Sequence, residues 1–170
     1  MNPATTDLLR RASALAALAL AACAAFGPAQ LRIGQTADEV AQAMGTPTAL
    51  YALPGGGQRI EYARGPFGRE TYMVDVDAGG RVTGWSQVLT EANFAALPRG
   101  ITKDELLRRL GTPGERQRIG WQDRDLWAWR YPTNDCLWFT ASLDRTQHVV
   151  DSGYGIDPRC DAGNGRDRSQ

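Results

Sequence analysis

The chain has 170 residues, of which 42% are hydrophobic and 22% charged, and its formal net charge is zero. These proportions are those of one large or two small globular domains, and they exclude a fully disordered chain. Because nucleic-acid-binding surfaces depend on clustered lysine and arginine, a chain with no charge excess and no basic block gives no support for nucleic-acid binding.

The N-terminal segment has the pattern of an export signal. Arg10 and Arg11 form a short positive stretch, and an uncharged run rich in Ala and Leu follows over residues 12–22. A signal peptide of this kind is removed before folding. We therefore predict a signal peptide over residues 1–22.

The end of that run, Leu-Ala-Ala-Cys over residues 20–23, resembles the bacterial lipobox. The resemblance implies that Cys23 becomes the first residue of the mature protein and carries the lipid. It also implies that Ala24 favours sorting to the outer membrane. Residues 23–32 would then be a tether that leaves the folded part in the periplasm.

An uncleaved membrane anchor is the alternative for this segment. Residues 12–31 form an uncharged stretch that is long enough to span a bilayer. The run ends in Gly-Pro-Ala-Gln over residues 27–30, a poor membrane interior. Either arrangement places the rest of the chain outside the cytoplasm.

Two helix signals are related by an offset of 66 residues. The segments 34–47 and 100–113 align without gaps, with identical Gly, Thr, Asp, Glu, Gly, Thr and Pro. Each begins at a Thr followed three residues later by Glu, which is the pattern of a capping box, and each ends in Gly-Thr-Pro. We predict one helix in each copy and read the body of the chain as one unit used twice.

Strand-like segments separated by turn residues follow each helix. The predicted strands cover residues 48–53, 58–64, 69–77, 81–88, 115–121, 126–131, 136–144 and 147–154. Between the copies, residues 90–97 have the pattern of a short helix that ends at Pro98. Residues 161–170 are predicted to be a disordered tail.

The helix motif and the aromatic strands resemble the BamE-like (SmpA/OmlA) outer-membrane lipoproteins, whose fold is shared with the β-lactamase-inhibitor protein. The resemblance implies an α+β fold of two tandem helix(-helix)–antiparallel β-meander repeats, with the helices packed on one face of the sheet. The first repeat would cover residues 33–89 and the second 90–160. It also implies a role beside the machinery that assembles β-barrel outer-membrane proteins.

The cysteines are consistent with export. If Cys23 carries lipid, Cys136 and Cys160 remain, and an even pair in an oxidising compartment favours a disulfide. In the chain-entropy model, closing that loop contributes about 3 kcal/mol. The alternative is a reactive thiol, which needs a nearby base, and the one histidine, His148, has no evident partner in sequence.

Each candidate catalytic motif in the sequence is better explained by a structural role. His148 has no metal-ligand spacing around it. Asp77 begins a turn signal and Asp75 is expected to face solvent. Ser152 lacks the flanking glycine of a nucleophile elbow, and residues 54–57 lack the Lys-Ser/Thr of a phosphate loop. We therefore expect no cofactor, no metal and no enzyme activity, and an undetected hydrolase is a remote alternative.

The aromatic residues favour a binding role. Trp127, Trp129 and Tyr131 recur at every second position, as expected for the core face of a strand. Strand alternation instead places Trp85, Trp138 and Met73 on the sheet face away from the helices, where exposed tryptophan is typical of contact surfaces. The alternative is that the two sheets pack together and bury both tryptophans.

The sequence therefore predicts a non-enzymatic interaction module, anchored by lipid to the periplasmic face of the outer membrane. Its expected partner is an envelope protein, and the resemblance suggests the β-barrel assembly machinery. The alternative function is inhibition of a periplasmic or secreted enzyme.

Overall fold

A computed structural model describes residues 28–64 and 68–161 of the chain. The predicted signal peptide, residues 23–27 of the tether with Cys23, and residues 162–170 lie outside the described part. Within the described part, no helix has both the length and the apolar character needed to cross a bilayer.

Eight strands form two antiparallel four-stranded sheets, each a meander in chain order. The first sheet contains β1 (Ala49–Ala52), β2 (Gln58–Arg64), β3 (Glu70–Val76) and β4 (Val82–Gln87). The second sheet contains β5 (Glu115–Ile119), β6 (Arg124–Arg130), β7 (Leu137–Leu143) and β8 (Val149–Ile156).

The helices are few and short. They are α1 (Ala37–Met44), α2 (Glu91–Ala95), α3 (Lys103–Leu110) and α4 (Pro158–Asp161), with 3-10 turns at Pro28–Gln30 and Pro54–Gly56. The expected α+β class, with a layer of helices on one face of each sheet, is therefore wrong. The chain is mostly β, because the longest helices have only two turns and the strands contain about twice as many residues as the helices.

The local helix signals nevertheless act as predicted. The Thr36 hydroxyl accepts from the Glu39 amide, and the Glu39 carboxylate accepts from the Thr36 amide at 2.7 Å, which completes a capping box. At the helix ends, Gly45 and Gly111 have φ of +76° and +79°, a region that side chains disfavour. These residues start and stop α1 and α3.

Two buried clusters form the interior. The cluster of the first half joins Val40 and Met44 of α1 to strand residues such as Ile60 and Val74. The cluster of the second half is larger and rich in aromatic residues, including Phe94, Trp127, Trp129, Tyr131 and Phe139. Phe94 stacks on Phe139 with ring centroids 4.2 Å apart.

The two halves contact each other through a buried carboxylate. Glu61 of β2 is completely buried and accepts hydrogen bonds from the Tyr51 hydroxyl at 2.5 Å, the Thr48 hydroxyl at 2.9 Å and the Thr112 amide at 3.0 Å. Since Thr112 follows α3, these bonds attach the first sheet to the second half. Burial, together with the bond to Glu61, raises the pKa of the Tyr51 hydroxyl.

The predicted disulfide is confirmed, with Cys136 bonded to Cys160 and their Cα atoms 6.0 Å apart. It attaches α4 to the start of β7. Next to it, the buried Arg130 guanidinium donates to both carboxylate oxygens of Asp157, at 2.5 and 2.9 Å. These bonds hold the pKa of Asp157 below its usual value.

Candidate functional site

Trp85, Trp138 and Met73, which were predicted to form one contact surface, do not lie together, and Met73 is not exposed. This side chain is only 1% exposed and belongs to the aromatic-rich cluster of the second half. The face of the first sheet that was expected to be open is therefore covered by the second half. Met73 is a core residue, and its assignment to an exposed surface was wrong.

Trp85 lies on the opposite face of its sheet from the one predicted. Val76 pairs with Val82 but Asp75 pairs with Gly84, so β4 contains one extra residue, a β-bulge. The extra residue reverses the alternation, and Trp85 pairs with Val74 on the face that packs against α1. At the edge strand it remains 37% exposed.

Trp138 lies on the face of the second sheet away from the aromatic core and is half-buried. The Arg130 guanidinium lies 5.2 Å from its ring centroid, and the indole also lies across Gly155, where an added Cβ would be 3.0 Å from Nε1. Its surroundings are thus contacts within its own sheet. Trp85, Trp138 and Met73 share no common surface.

Trp121, which the sequence interpretation had placed inside a strand, is the most exposed large hydrophobic residue of the described part, at 85%. It lies at the tip of the β5–β6 hairpin, in a turn closed by the amides of Gln122 and Asp123, which donate to the carbonyls of Ile119 and Gly120. Asp123 has φ of +56°. The signal available in the sequence was a pair of turn-forming residues around the tryptophan, Gly120 directly before it and Asp123 two residues after it.

Ion pairs stabilise this turn from both sides. Arg118 of β5 pairs with Asp123, and also with Asp125 of β6 at 3.0 Å. Arg145, from the β7–β8 turn, pairs with Asp123 as well. The hydrogen bond from Arg118 lowers the pKa of Asp125. Exposed pairs of this kind contribute little stability singly, but together they fix the turn that carries the indole.

A groove of about 270 Å³ runs beside the same hairpin. Its walls include three cations and one carboxylate: Lys103, Arg116, Arg118 and Asp125. The floor includes the buried Trp127, and the Arg116 guanidinium lies 4.8 Å above its ring centroid. The groove therefore combines an excess of positive charge with a guanidinium held in place by an aromatic ring.

The two aspartates considered for catalysis take part in an ion pair and in a turn. Asp75 forms two hydrogen bonds with Arg59, at 2.6 and 2.7 Å, and the Asp77 carboxylate closes a turn by accepting from the amides of Gly79 and Arg81. Residues 54–57 connect β1 to β2.

His148 follows the β7–β8 turn, with its Nδ1 2.9 Å from the Thr146 hydroxyl. Within residues 28–64 and 68–161, no group of three or more His, Cys, Asp or Glu side chains is placed to hold a metal ion.

Comparison with known proteins gives no family assignment. No family model matches the chain, and no curated protein matches it. Several solved structures match weakly, and two of them are described as an extracellular and a secretory protein. One is an extracellular protein containing an SCP domain from Bacillus anthracis, with 11% identity, a TM-score of 0.29 and coverage of 74% of this chain and 44% of that one.

A second is a cysteine-rich secretory protein from Staphylococcus aureus, with 10% identity, a TM-score of 0.29 and coverage of 76% of this chain and 46% of that one. The chain thus spans less than half the length of either protein, and similarity this low carries no conclusion about fold or function. The expected membership of the BamE-like family is wrong, because no family model matches the chain and the mostly β architecture differs from the helix-on-sheet repeats that the family implies.

Proposed function

We propose that this chain is a non-enzymatic protein-binding module of the cell envelope, which binds its partner through the β5–β6 hairpin. The observation that carries the proposal is the 85% exposed indole of Trp121 on a turn fixed by ion pairs. Tryptophan is the residue type most enriched among the side chains that dominate binding energy. An indole on a fixed turn also loses less conformational freedom on binding than one on a mobile loop.

The location outside the cytoplasm is supported by the Cys136–Cys160 bond, because disulfides persist in oxidising compartments. We further propose attachment to the periplasmic face of the outer membrane through lipid on Cys23, on the strength of the lipobox-like residues 20–23. Without the family resemblance, nothing supports the β-barrel assembly machinery over another envelope protein as the partner.

Site-specific crosslinking of the full chain in intact envelopes tests the proposal. A photoactivatable residue placed at position 122 should capture one predominant protein in the wild-type background. Trp121→Ala should abolish that product, whereas the matched variant Trp85→Ala, which alters a less exposed tryptophan of the other sheet, should retain it.

A product that persists in Trp121→Ala would contradict the proposal. If the captured protein is an enzyme whose activity falls in the complex, the function is inhibition. A Cys23→Ser variant tests the anchor separately, since it should move the protein from the membrane to the soluble fraction without changing the crosslink of the purified pair.

A further inference from the structure

The four edge strands of the two sheets differ in how they are protected. The residues immediately before β4 and β8 pair with preceding chain segments, through the bridges Thr36–Arg81 and Thr102–His148. Within the described residues, β1 and β5 each have one strand neighbour and no such bridge. An edge of this kind presents unpaired backbone amides and carbonyls to any extended chain that approaches it.

Of these two edges, β5 is the accessible one. Its residues 115–118 are all exposed, whereas β1 is only four residues long and its Tyr51 hydroxyl is bonded to the buried Glu61. No proline interrupts β5, and its turn with β6 is fixed by the ion pairs around Asp123. An added strand would therefore meet an exposed edge that no proline interrupts.

The charge beside β5 defines what would bind there. Arg116 pairs with Trp127 and Arg118 with Asp125 in the sheet register, so both arginines lie on the face that carries the groove and Lys103. Arg116 forms no ion pair with a carboxylate among residues 28–64 and 68–161. A new strand would place every second side chain within about 5.5 Å of these arginines.

We infer that β5 receives an extended, acidic segment of a partner protein as a fifth strand of the second sheet. Backbone hydrogen bonds to the edge would supply affinity, and carboxylates at alternate positions of the segment would face Arg116, Arg118 and Lys103. This inference rests on the proposed function and adds to it the chemistry and backbone geometry of the partner. The competing interpretation is that the arginines only protect an exposed edge from aggregation.

A peptide titration with the detergent-solubilised full chain separates these interpretations. The probe is a fluorescein-labelled heptapeptide of alternating Val and Glu, and the control is the same peptide with Lys in place of Glu. The Glu peptide should bind and the Lys peptide should not, and added salt should weaken binding. Arg116→Gln should weaken it about fivefold, as expected for one exposed charge pair, whereas Arg99→Gln, outside the groove, should leave it unchanged.

Amide hydrogen exchange identifies how the peptide binds. Strand addition should slow exchange at backbone amides of β5, while contact through side chains alone would leave those rates unaltered. Absence of binding, or binding without protection of β5, overturns the inference. Either result is independent of the envelope crosslink, because loss of the crosslink in Trp121→Ala would still support the hairpin as the binding site.

Discussion

The two halves use the same helix signals and alternating strands but bury their sheets differently. In the first half, the sheet face away from α1 contains Glu61 and Met73, both at most 1% exposed because the second half covers them. In the second half, the corresponding face contains the half-buried Trp138, packed across Gly155 and Arg130 of its own sheet. A repeat in sequence therefore produces equivalent local structure, while each half's position in the fold decides which face is a core and which is a surface.

The test of this difference with the largest expected loss of stability uses the two helix-terminal glycines, Gly45 and Gly111. Alanine at either position must adopt a φ near +77° with extended ψ, which costs about 2 kcal/mol. An added Cβ at Gly45 meets only the end of Arg64 at 3.5 Å, but at Gly111 it lies 2.8 Å from Thr71 and 3.0 Å from Glu61.

Overpacking should therefore bring the cost of Gly111→Ala to about 4 kcal/mol, twice that of Gly45→Ala. Urea unfolding of the two variants measures both values. Equal losses would mean that Gly111 does not lie against the first sheet.

The disulfide is the next test, because it is present only in the second half. Reducing Cys136–Cys160 should lower the free energy of unfolding by about 3 kcal/mol. Urea titrations with and without reductant measure the effect. The Cys136→Ala/Cys160→Ala variant is the control and should be insensitive to reductant, so a remaining response would point to another site of reduction.

The buried pair of Arg130 and Asp157 makes the second half sensitive to acid. Because its folded pKa lies below the unfolded value of about 3.9, Asp157 stabilises the fold above that pH, and the contribution is lost as pH falls through the folded pKa. Asp157→Asn should therefore cost about 2 kcal/mol at pH 7, with Glu115 still 3.1 Å from Arg130.

The unfolding curves of wild type and Asp157→Asn should converge towards acid pH, because both then lack the carboxylate charge. A difference in stability that stays constant down to pH 2 would show that charge is not the cause. Urea midpoints measured across the acid range provide the comparison.

Local features of this fold could be read from the sequence, and features that depend on packing between segments could not. The strand predicted over residues 58–64 matches β2, and the capping box and the disulfide are confirmed. Those signals lie within short windows or follow from pairing chemistry. The predicted fold class was wrong because turn and cap residues mark only where a helix starts and stops. How much of the fold is helical depends on helix length and tertiary contacts.

The binding residues show the same limit. Alternation predicted the wrong face for Trp85 because one extra residue in β4 moves every later side chain of the strand to the opposite face of the sheet. No residue type in the sequence indicates such a bulge. At Met73 alternation gave the correct face, but the expected exposure was wrong because residues of the other half cover that face. Trp121 was missed because its segment was read as strand up to the tryptophan, although Gly120 and Asp123 mark the turn.

The smallest expected effect concerns the starts of α1 and α3, where one residue difference between the two copies changes the hydrogen bonding. Both threonine hydroxyls accept from the amide three residues on, at 3.2 Å. In α1 the Glu39 carboxylate returns to the Thr36 amide, which lowers the pKa of Glu39. In α3 the Glu105 carboxylate instead accepts from Arg109, the position that is Ala43 in the first copy.

Thr36→Ala should therefore cost about 1 kcal/mol, and Thr102→Ala less, because the Thr36 hydroxyl also donates to the Glu39 carboxylate at 3.1 Å, a bond that is lost together with the cap. The excess loss in Thr36→Ala should also disappear in acid, since protonated Glu39 no longer accepts from the Thr36 hydroxyl as a carboxylate. Urea unfolding of both variants at pH 7 and in acid measures this. If Arg109→Ala makes Thr102→Ala as costly as Thr36→Ala, competition for the glutamate explains the difference; if it does not, the two helix starts differ for a reason outside their caps.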